Sequence, residues 1–328
     1  MTTRTQTLLA ISALVVSGLA QPVMAAPLNW YWLHPWVLAP GFYVLCRLGP
    51  KRAFFAGWFM GMVANLGIFY WVAGTVSVFA KLPYIVGLLT LFLLAAFASL
   101  YLAVFGWGLG YIRRASGAAW PFAGAAWFVT CEFLNPQLFP YYHGMSLYQV
   151  PALFLVTSVT GILGLSFQMI FSNLLIVAAA EQYRGIARLG PRAWTVSVTA
   201  AVLMLLADIG ISAWQEGRIE AAEADADSLR VAIVQPDLRI SERRDLGTAG
   251  VARVHVKQSR EALESDPEID VLVWAEAGLR ETPADPDNRE VFEFIADTNR
   301  EIWTGARGTD EHERRYNSGY VLHRDGTI

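Results

Sequence analysis

Residues 271–279 read VLVWAEAGL. Four apolar residues, Val271-Leu272-Val273-Trp274, lead to a single carboxylate, Glu276, with small residues on either side of it. A short continuous apolar run closed by turn-forming residues is the pattern of a strand buried in a sheet. Similar runs flank it. LRVAIVQP (229–236) is rich in β-formers and ends on proline, EIWTGAR (301–307) is a third strand, and YNSGYVLHRDGTI (316–328) is a fourth that runs into an Asp325-Gly326 turn. Helical spacing lies between them: Val251, Val254 and Leu263 stand among charges over 248–264, and Val291, Phe292 and Ile295 share a face over 288–300. Strands alternating with helices predict an α/β layer with some parallel pairing. Its span of about 100 residues and its closing turn predict an incomplete sheet.

Outward from this region the chain changes character. Of 328 residues, 55% are hydrophobic and only 16% charged, against about a quarter charged in an ordinary soluble domain. The mean hydropathy is +0.38. Charge is sparse up to about residue 214 and dense after it. Seven apolar runs of roughly spanning length occur at 8–26, 30–47, 54–80, 83–111, 118–134, 152–180 and 194–214. The first also has signal-peptide character in AQPVMAA (20–26), but more membrane-like sequence follows it, which favours a retained helix. The reading is therefore a membrane domain of about seven transmembrane helices (1–214), an acidic linker or helix extension (215–228) and an α/β domain (229–328).

The connections carry an orientation signal. Arg4, then Arg47, Lys51 and Arg52, then Arg113 and Arg114, then Arg184, Arg188 and Arg192 fall on alternate connections, and the opposite set holds only Lys81. Positive residues mark the cytoplasmic side. The amino terminus is then cytoplasmic, and the α/β domain lies across the membrane, in the periplasm of a double-membrane bacterium. The net charge of −3 gives no general attraction to nucleic acid, and no nucleic-acid partner is expected. His34, His143, His255, His312 and His323 show no metal-ligand spacing, and neither metal nor cofactor is expected.

A carboxylate placed directly after a buried strand stands where α/β sheets bind ligands, beyond the carboxyl ends of their strands. Partly desolvated there, Glu276 would serve as a general base. A glutamate in that place can equally cap the next segment or simply meet solvent.

The segments RVAIVQPDL (230–238), DVLVWAEAGL (270–279), WTGA (303–306) and RYNSGYVLHRDG (315–326) resemble, in that order, the carbon–nitrogen hydrolase (nitrilase) superfamily, whose domain is an αββα sandwich. FFAGWFMGMVANLGIFYWV (54–72) and residues 138–176, LFPYYHGMSLYQVPALFLVTSVTGILGLSFQMIFSNLLI, look like the membrane domain of the apolipoprotein N-acyltransferases. The resemblance implies an acyltransferase of the bacterial inner membrane. A cysteine thiolate would take an acyl chain from a phospholipid donor, and the resulting thioester would pass it to the amino-terminal diacylglyceryl-cysteine of an apolipoprotein. Glutamate is the general base, lysine supports the oxyanion and cysteine is the nucleophile. Only Glu276 carries over. Trp274-Ala275-Glu276 lacks the family's proline, Arg244 stands where an aromatic is expected, and no lysine or cysteine follows Glu276 in these 328 residues. The expectation is thus the front portion of such an enzyme, catalytically incomplete by itself. Two other readings are a non-catalytic membrane homologue that binds lipid or lipoprotein, and a polytopic scaffold or transporter with an outer α/β domain. The lack of an internal repeat disfavours a transporter.

Several residues have two readings. Asp208 lies in an apolar run, where a carboxylate is a functional candidate, or one that snorkels to the nearby outer edge or makes a helix–helix hydrogen bond. Asn65 and Asn173 read as glue between helices. LFPYYHGMSLYQ (138–149) reads as an interfacial aromatic belt or as a wall of a lipid entrance. Tyr316-Asn317-Ser318 reads as structural, with Asn317 holding a turn or strand end. Cys46 and Cys131 read as small hydrophobes in apolar helices.

Overall fold

Prolines set where many of the helices in the first part of the chain begin. The computed structural model describes residues 3–186, 189–312 and 314–328; Arg188 of the basic series lies outside them. The chain falls into two compact units that divide between Ala224 and Asp225. In the first, α1 (Thr3–Met24) is followed by a 3₁₀ turn (Tyr31–Leu33), α2 (Ala39–Arg47), α3 (Pro50–Ile68), α4 (Trp71–Ala80), α5 (Tyr84–Ala98), α6 (Leu100–Ser116) and α7 (Trp120–Leu134). A second 3₁₀ turn (His143–Leu147) leads to α8 (Pro151–Phe154), α9 (Thr157–Thr160), α10 (Ile162–Tyr183) and α11 (Pro191–Ala224). Pro50, Pro121 and Pro151 sit in the first turns of α3, α7 and α8, where a missing N–H costs nothing.

The seven expected spans resolve differently. Among the described residues, four stretches are long and apolar enough to cross a membrane: Arg4–Met24, Tyr84–Leu134, Ile162–Tyr183 and Pro191–Ala224. The pair α3 and α4, bent by 57° at its break, makes a fifth if counted as one span. The runs 83–111 and 118–134 join into one apolar stretch of three helices. The run 30–47 is the clearest correction. Its only α-helix has nine residues, about 14 Å of rise against a hydrocarbon core of about 30 Å. Pro35 and Pro40 stand in the run, and the backbone before Ala39 is irregular. Such backbone persists only where protein groups satisfy it. Asn173 of α10 does so: its Oδ1 accepts from the N–H groups of Leu38 (2.8 Å) and Ala39 (2.9 Å), and its Nδ2 donates to the carbonyl of His34 (3.1 Å). Ser17 of α1 donates to the Val37 carbonyl and accepts from Gly41 N–H, both at 3.0 Å. Asn65 likewise ties α3 to Ser99, at the break between α5 and α6 (3.0 Å).

In the second unit β1 (Val231–Val234), α12 (Ile240–Ser265), β2 (Val271–Trp274), α13 (Arg289–Thr298), β3 (Glu301–Thr309) and β4 (Arg315–Leu322) follow one another. A positive φ at Gly247 breaks α12, so its regular part matches the helix read from the pattern. The sheet order is β1-β2-β3-β4, with β1, β2 and β3 parallel and β4 antiparallel. Helices α12 and α13 cover one face, where Val256, Leu272, Phe294, Ile302 and Leu322 form the core. Val231, Ile233 and Trp303 are exposed.

Candidate active site

Strand β2 ends on a fixed point. The buried Trp274 donates from its indole N–H to Ser259 Oγ of α12 (3.0 Å), and its ring lies 4.9 Å from that of His255. The chain then turns at once: Gly278 N–H donates to the Ala275 carbonyl (2.8 Å), and Leu279 N–H to the Gly305 carbonyl of β3 (3.1 Å). Strand β3 passes so close that a Cβ on Gly305 would collide with the Glu276 carbonyl oxygen. Only glycine allows that approach.

Around this turn Arg243 donates to the Ala277 carbonyl, Arg280 donates to the Arg243 carbonyl (2.9 Å), and Arg307 pairs with Glu281 (3.0 Å). Burial, and then the charge of Arg280, holds Arg243 below the usual guanidinium range. The Glu276 side chain is exposed, so the described residues do not supply the desolvation anticipated for it. Its Oε1 accepts from Asn317 Nδ2 of β4 at 2.6 Å. The two line an open cleft of about 490 Å³ together with Trp303, Thr304 and Tyr320.

A carboxylate oriented by one amide, beside an open cleft at the carboxyl end of a parallel strand, has the geometry of a proton acceptor for a bound group. The sequence located Glu276 but read Asn317 as structural, and it gave Gly305 no part. Both belong to the site through pairing: β4 runs antiparallel to β3 with Asn317 opposite Arg307 and Gly319 opposite Gly305, which brings Asn317 to a residue 41 positions earlier. The unit's single lysine, Lys257, pairs with Glu261 (3.8 Å) on an exposed face of α12. The two cysteines, on α2 and α7, are unbridged. Among the described residues no group of three or more His, Cys, Asp or Glu side chains is placed to hold a metal ion.

A helical unit with several apolar spans, joined to a small α/β unit that presents a strand-end carboxylate, defines a class of multi-pass membrane protein with an appended α/β site. Residues 17–175 match the sequence model described as "Apolipoprotein N-acyltransferase N-terminal domain". Among curated proteins, the chain is 29% identical over 260 residues to an apolipoprotein N-acyltransferase of Geobacter metallireducens, a match covering 77% of this chain and 47% of the relative. It is 25% identical over 265 residues to apolipoprotein N-acyltransferase 2 of Leptospira interrogans (78% and 43%), and 24% identical over 274 residues to the Shewanella oneidensis apolipoprotein N-acyltransferase (80% and 49%). The chain is a partial homologue of the apolipoprotein N-acyltransferases. It spans a little under half the length of these relatives. Each match is longer than the 224-residue helical unit and so includes part of the α/β unit, whereas the matched domain lies wholly within the helices.

Proposed function

We propose that this chain supplies the membrane platform and the general base of a lipoprotein N-acyltransferase. Glu276 takes the proton from a cysteine thiol. The thiolate attacks a phospholipid ester carbonyl, the lysophospholipid leaves, and a thioester forms. The α-amine of a diacylated lipoprotein then attacks the thioester, an amide forms, and the thiolate is released. Splitting one acyl transfer into two steps lowers each barrier, and a nearby lysine would stabilise the developing oxyanion. The cysteine and lysine belong to a nitrilase-like half that is not in these 328 residues.

The observation that carries this reading is Glu276 at the end of β2, oriented by Asn317 beside an open cleft. The orientation proposed is N-terminus cytoplasmic and α/β unit periplasmic, at the inner membrane. It is supported by the meeting of α2, α6 and α10 at one end of the bundle: Arg113 pairs with Glu181 (2.6 Å) and donates to the Cys46 carbonyl (3.1 Å).

The test joins these residues to the cysteine- and lysine-bearing half of a full-length relative, supplies phospholipid and a diacylated lipopeptide, and follows enzyme thioester and triacylated product by mass. Glu276→Gln is expected to slow thioester formation by about 10²–10⁴-fold, the range for loss of a general base. The 328 residues alone are expected to yield no product. Thioester formed at an unchanged rate by the glutamine variant would make Glu276 structural and end this reading.

A further inference from the structure

The helical unit encloses a second cavity, of about 550 Å³, between α10, α11 and the Tyr31–Leu33 turn. Its two ends differ chemically. At one end Asp208 of α11 faces Gln168 of α10; Val198, Val202 and Leu205 follow along α11, and Tyr31, Trp32, His34 and Ser172 also line the cavity. Asp208 and Val198 are ten residues apart on one helix, about 15 Å of rise. Along α11 the lining is therefore polar at one end and apolar over a length suited to a hydrocarbon chain. Val198, Val202 and Leu205 are each about half exposed, so it opens along α11 towards the face that an apolar span turns to lipid.

Asp208 is 3% exposed. Its Oδ1 accepts from Gln168 Nε2 at 2.8 Å, which is the helix–helix hydrogen bond open to it from sequence. That amide is neutral, and no basic side chain pairs with Asp208 among the described residues. An intramembrane carboxylate ordinarily has a cationic or water-filled complement. Here it borders a cavity whose lining includes two exposed aromatic rings, Tyr31 and Trp32, and aromatic faces attract cations. A primary ammonium matches both groups, since it donates up to three hydrogen bonds and carries the missing charge. An anionic head would be repelled, and a quaternary ammonium could not donate.

From this geometry we infer that the α10–α11 cavity holds one amine-headed bilayer phospholipid, its ammonium on Asp208 against Tyr31 and Trp32 and one acyl chain along Val198, Val202 and Leu205. The lipid is a resident ligand of the helical unit, and the inference does not rest on the chemistry assigned to Glu276.

The test uses the whole chain in bilayer discs of equal phosphatidylethanolamine and phosphatidylglycerol, extracted into detergent, with the retained lipid counted by native mass spectrometry. Phosphatidylethanolamine is expected to be retained at least about tenfold over phosphatidylglycerol, as suits a charge-assisted hydrogen bond. Asp208→Asn keeps an acceptor for Gln168 but removes the charge, and is expected to bring the two lipids to parity. Trp32→Ala, at an exposed site, is expected to cut the preference several-fold and serves if the asparagine variant fails to insert. Equal retention of both lipids by the unaltered chain, the mark of annular lipid only, overturns the inference. So does a preference that survives Asp208→Asn, or that survives Trp32→Ala where the asparagine variant fails to insert.

Discussion

The two units differ in what lies at their surfaces and in how their buried polar groups are used. In the helical unit the deepest positions include polar residues that cross between elements: Ser17, Gln21, Glu132, His143 and Asn173 are all buried. Glu132 accepts from His143 Nδ1 at 2.7 Å, while His143 Nε2 lies 3.0 Å from Gln21 Oε1. Large apolar side chains cover the outside, along α11 above all. In the α/β unit the core is mostly hydrocarbon, with His255, Ser259 and Asn288 among the buried polar exceptions, and the ion pairs, such as Arg260–Asp297 and Arg253–Glu290, lie at the surface. The contrast follows from the surroundings. In lipid, apolar contact gives little preference for protein over solvent, so helix contacts depend on packing and hydrogen bonds. In water, the removal of apolar area supplies most of the driving force. An exposed leucine on α11 is therefore in its proper medium, whereas the exposed Ile233 of β1 is not.

Substitutions can break that comparison. The largest expected effect is Phe294→Ala, which empties a fully buried core position of the α/β unit. It should destabilise that unit by about 3–5 kcal/mol, read as lost protection of β2 and β3 amides in hydrogen exchange. Ile233→Ser on the open face should change protection by less than about 0.5 kcal/mol. Equal costs at the two positions would mean that the sheet is not one-sided. Next comes Asn173→Ala, which leaves the Leu38 N–H before α2 without its acceptor and the Ala39 N–H with only the Trp36 carbonyl. At about 1–3 kcal/mol for an unsatisfied buried group, it should cost about that much in thermal unfolding of the chain in detergent. A smaller loss would show that the polar interior of the helical unit is dispensable.

The smallest expected effect is a pH dependence confined to the α/β unit. Burial lowers the pKa of His255 from its ordinary value near 6.5. The hydrogen bond from the Trp303 indole, above all, lowers that of Glu301. Both folded-state values are depressed, so each contribution is present above the group's unfolded value and is lost as pH falls through it towards the folded one. The His255 part begins to fade below about pH 6.5, at no more than about 1.4 kcal/mol per pH unit for one proton; the Glu301 part fades only in acid. Exchange protection of β2, corrected for intrinsic rate, should decline from pH 7 to pH 5, and His255→Phe should flatten the upper part of that decline.

Much of the α/β unit was legible because its signals are local. EIWTGAR alternates as a half-buried strand must, and α13 repeats its apolar residues at helical spacing. Glu276 stood out because an apolar run points at it. Asn317 and Gly305 carried no such mark, because their places depend on strand pairings that join residues tens of positions apart. The run 30–47 was misread for the same reason. Hydropathy measures how apolar a segment is, but not whether its backbone is helical. The groups that make irregular backbone tolerable there come from Asn173, more than 130 residues later.

The absence of a side chain at Gly305 also bears on how the sheet assembles. If β3 slid by one residue against β2 and the turn after it, Thr304 or Ala306 would come to the position facing the Glu276 carbonyl; a slide by two would bring Trp303 or Arg307. Each of these carries a Cβ where the backbone leaves no room for one. The alignment that admits the chain is the one observed, with Val271 opposite Glu301. The same missing atoms that let β3 approach the glutamate thus favour the observed alignment over its neighbours, which would bring a Cβ into collision.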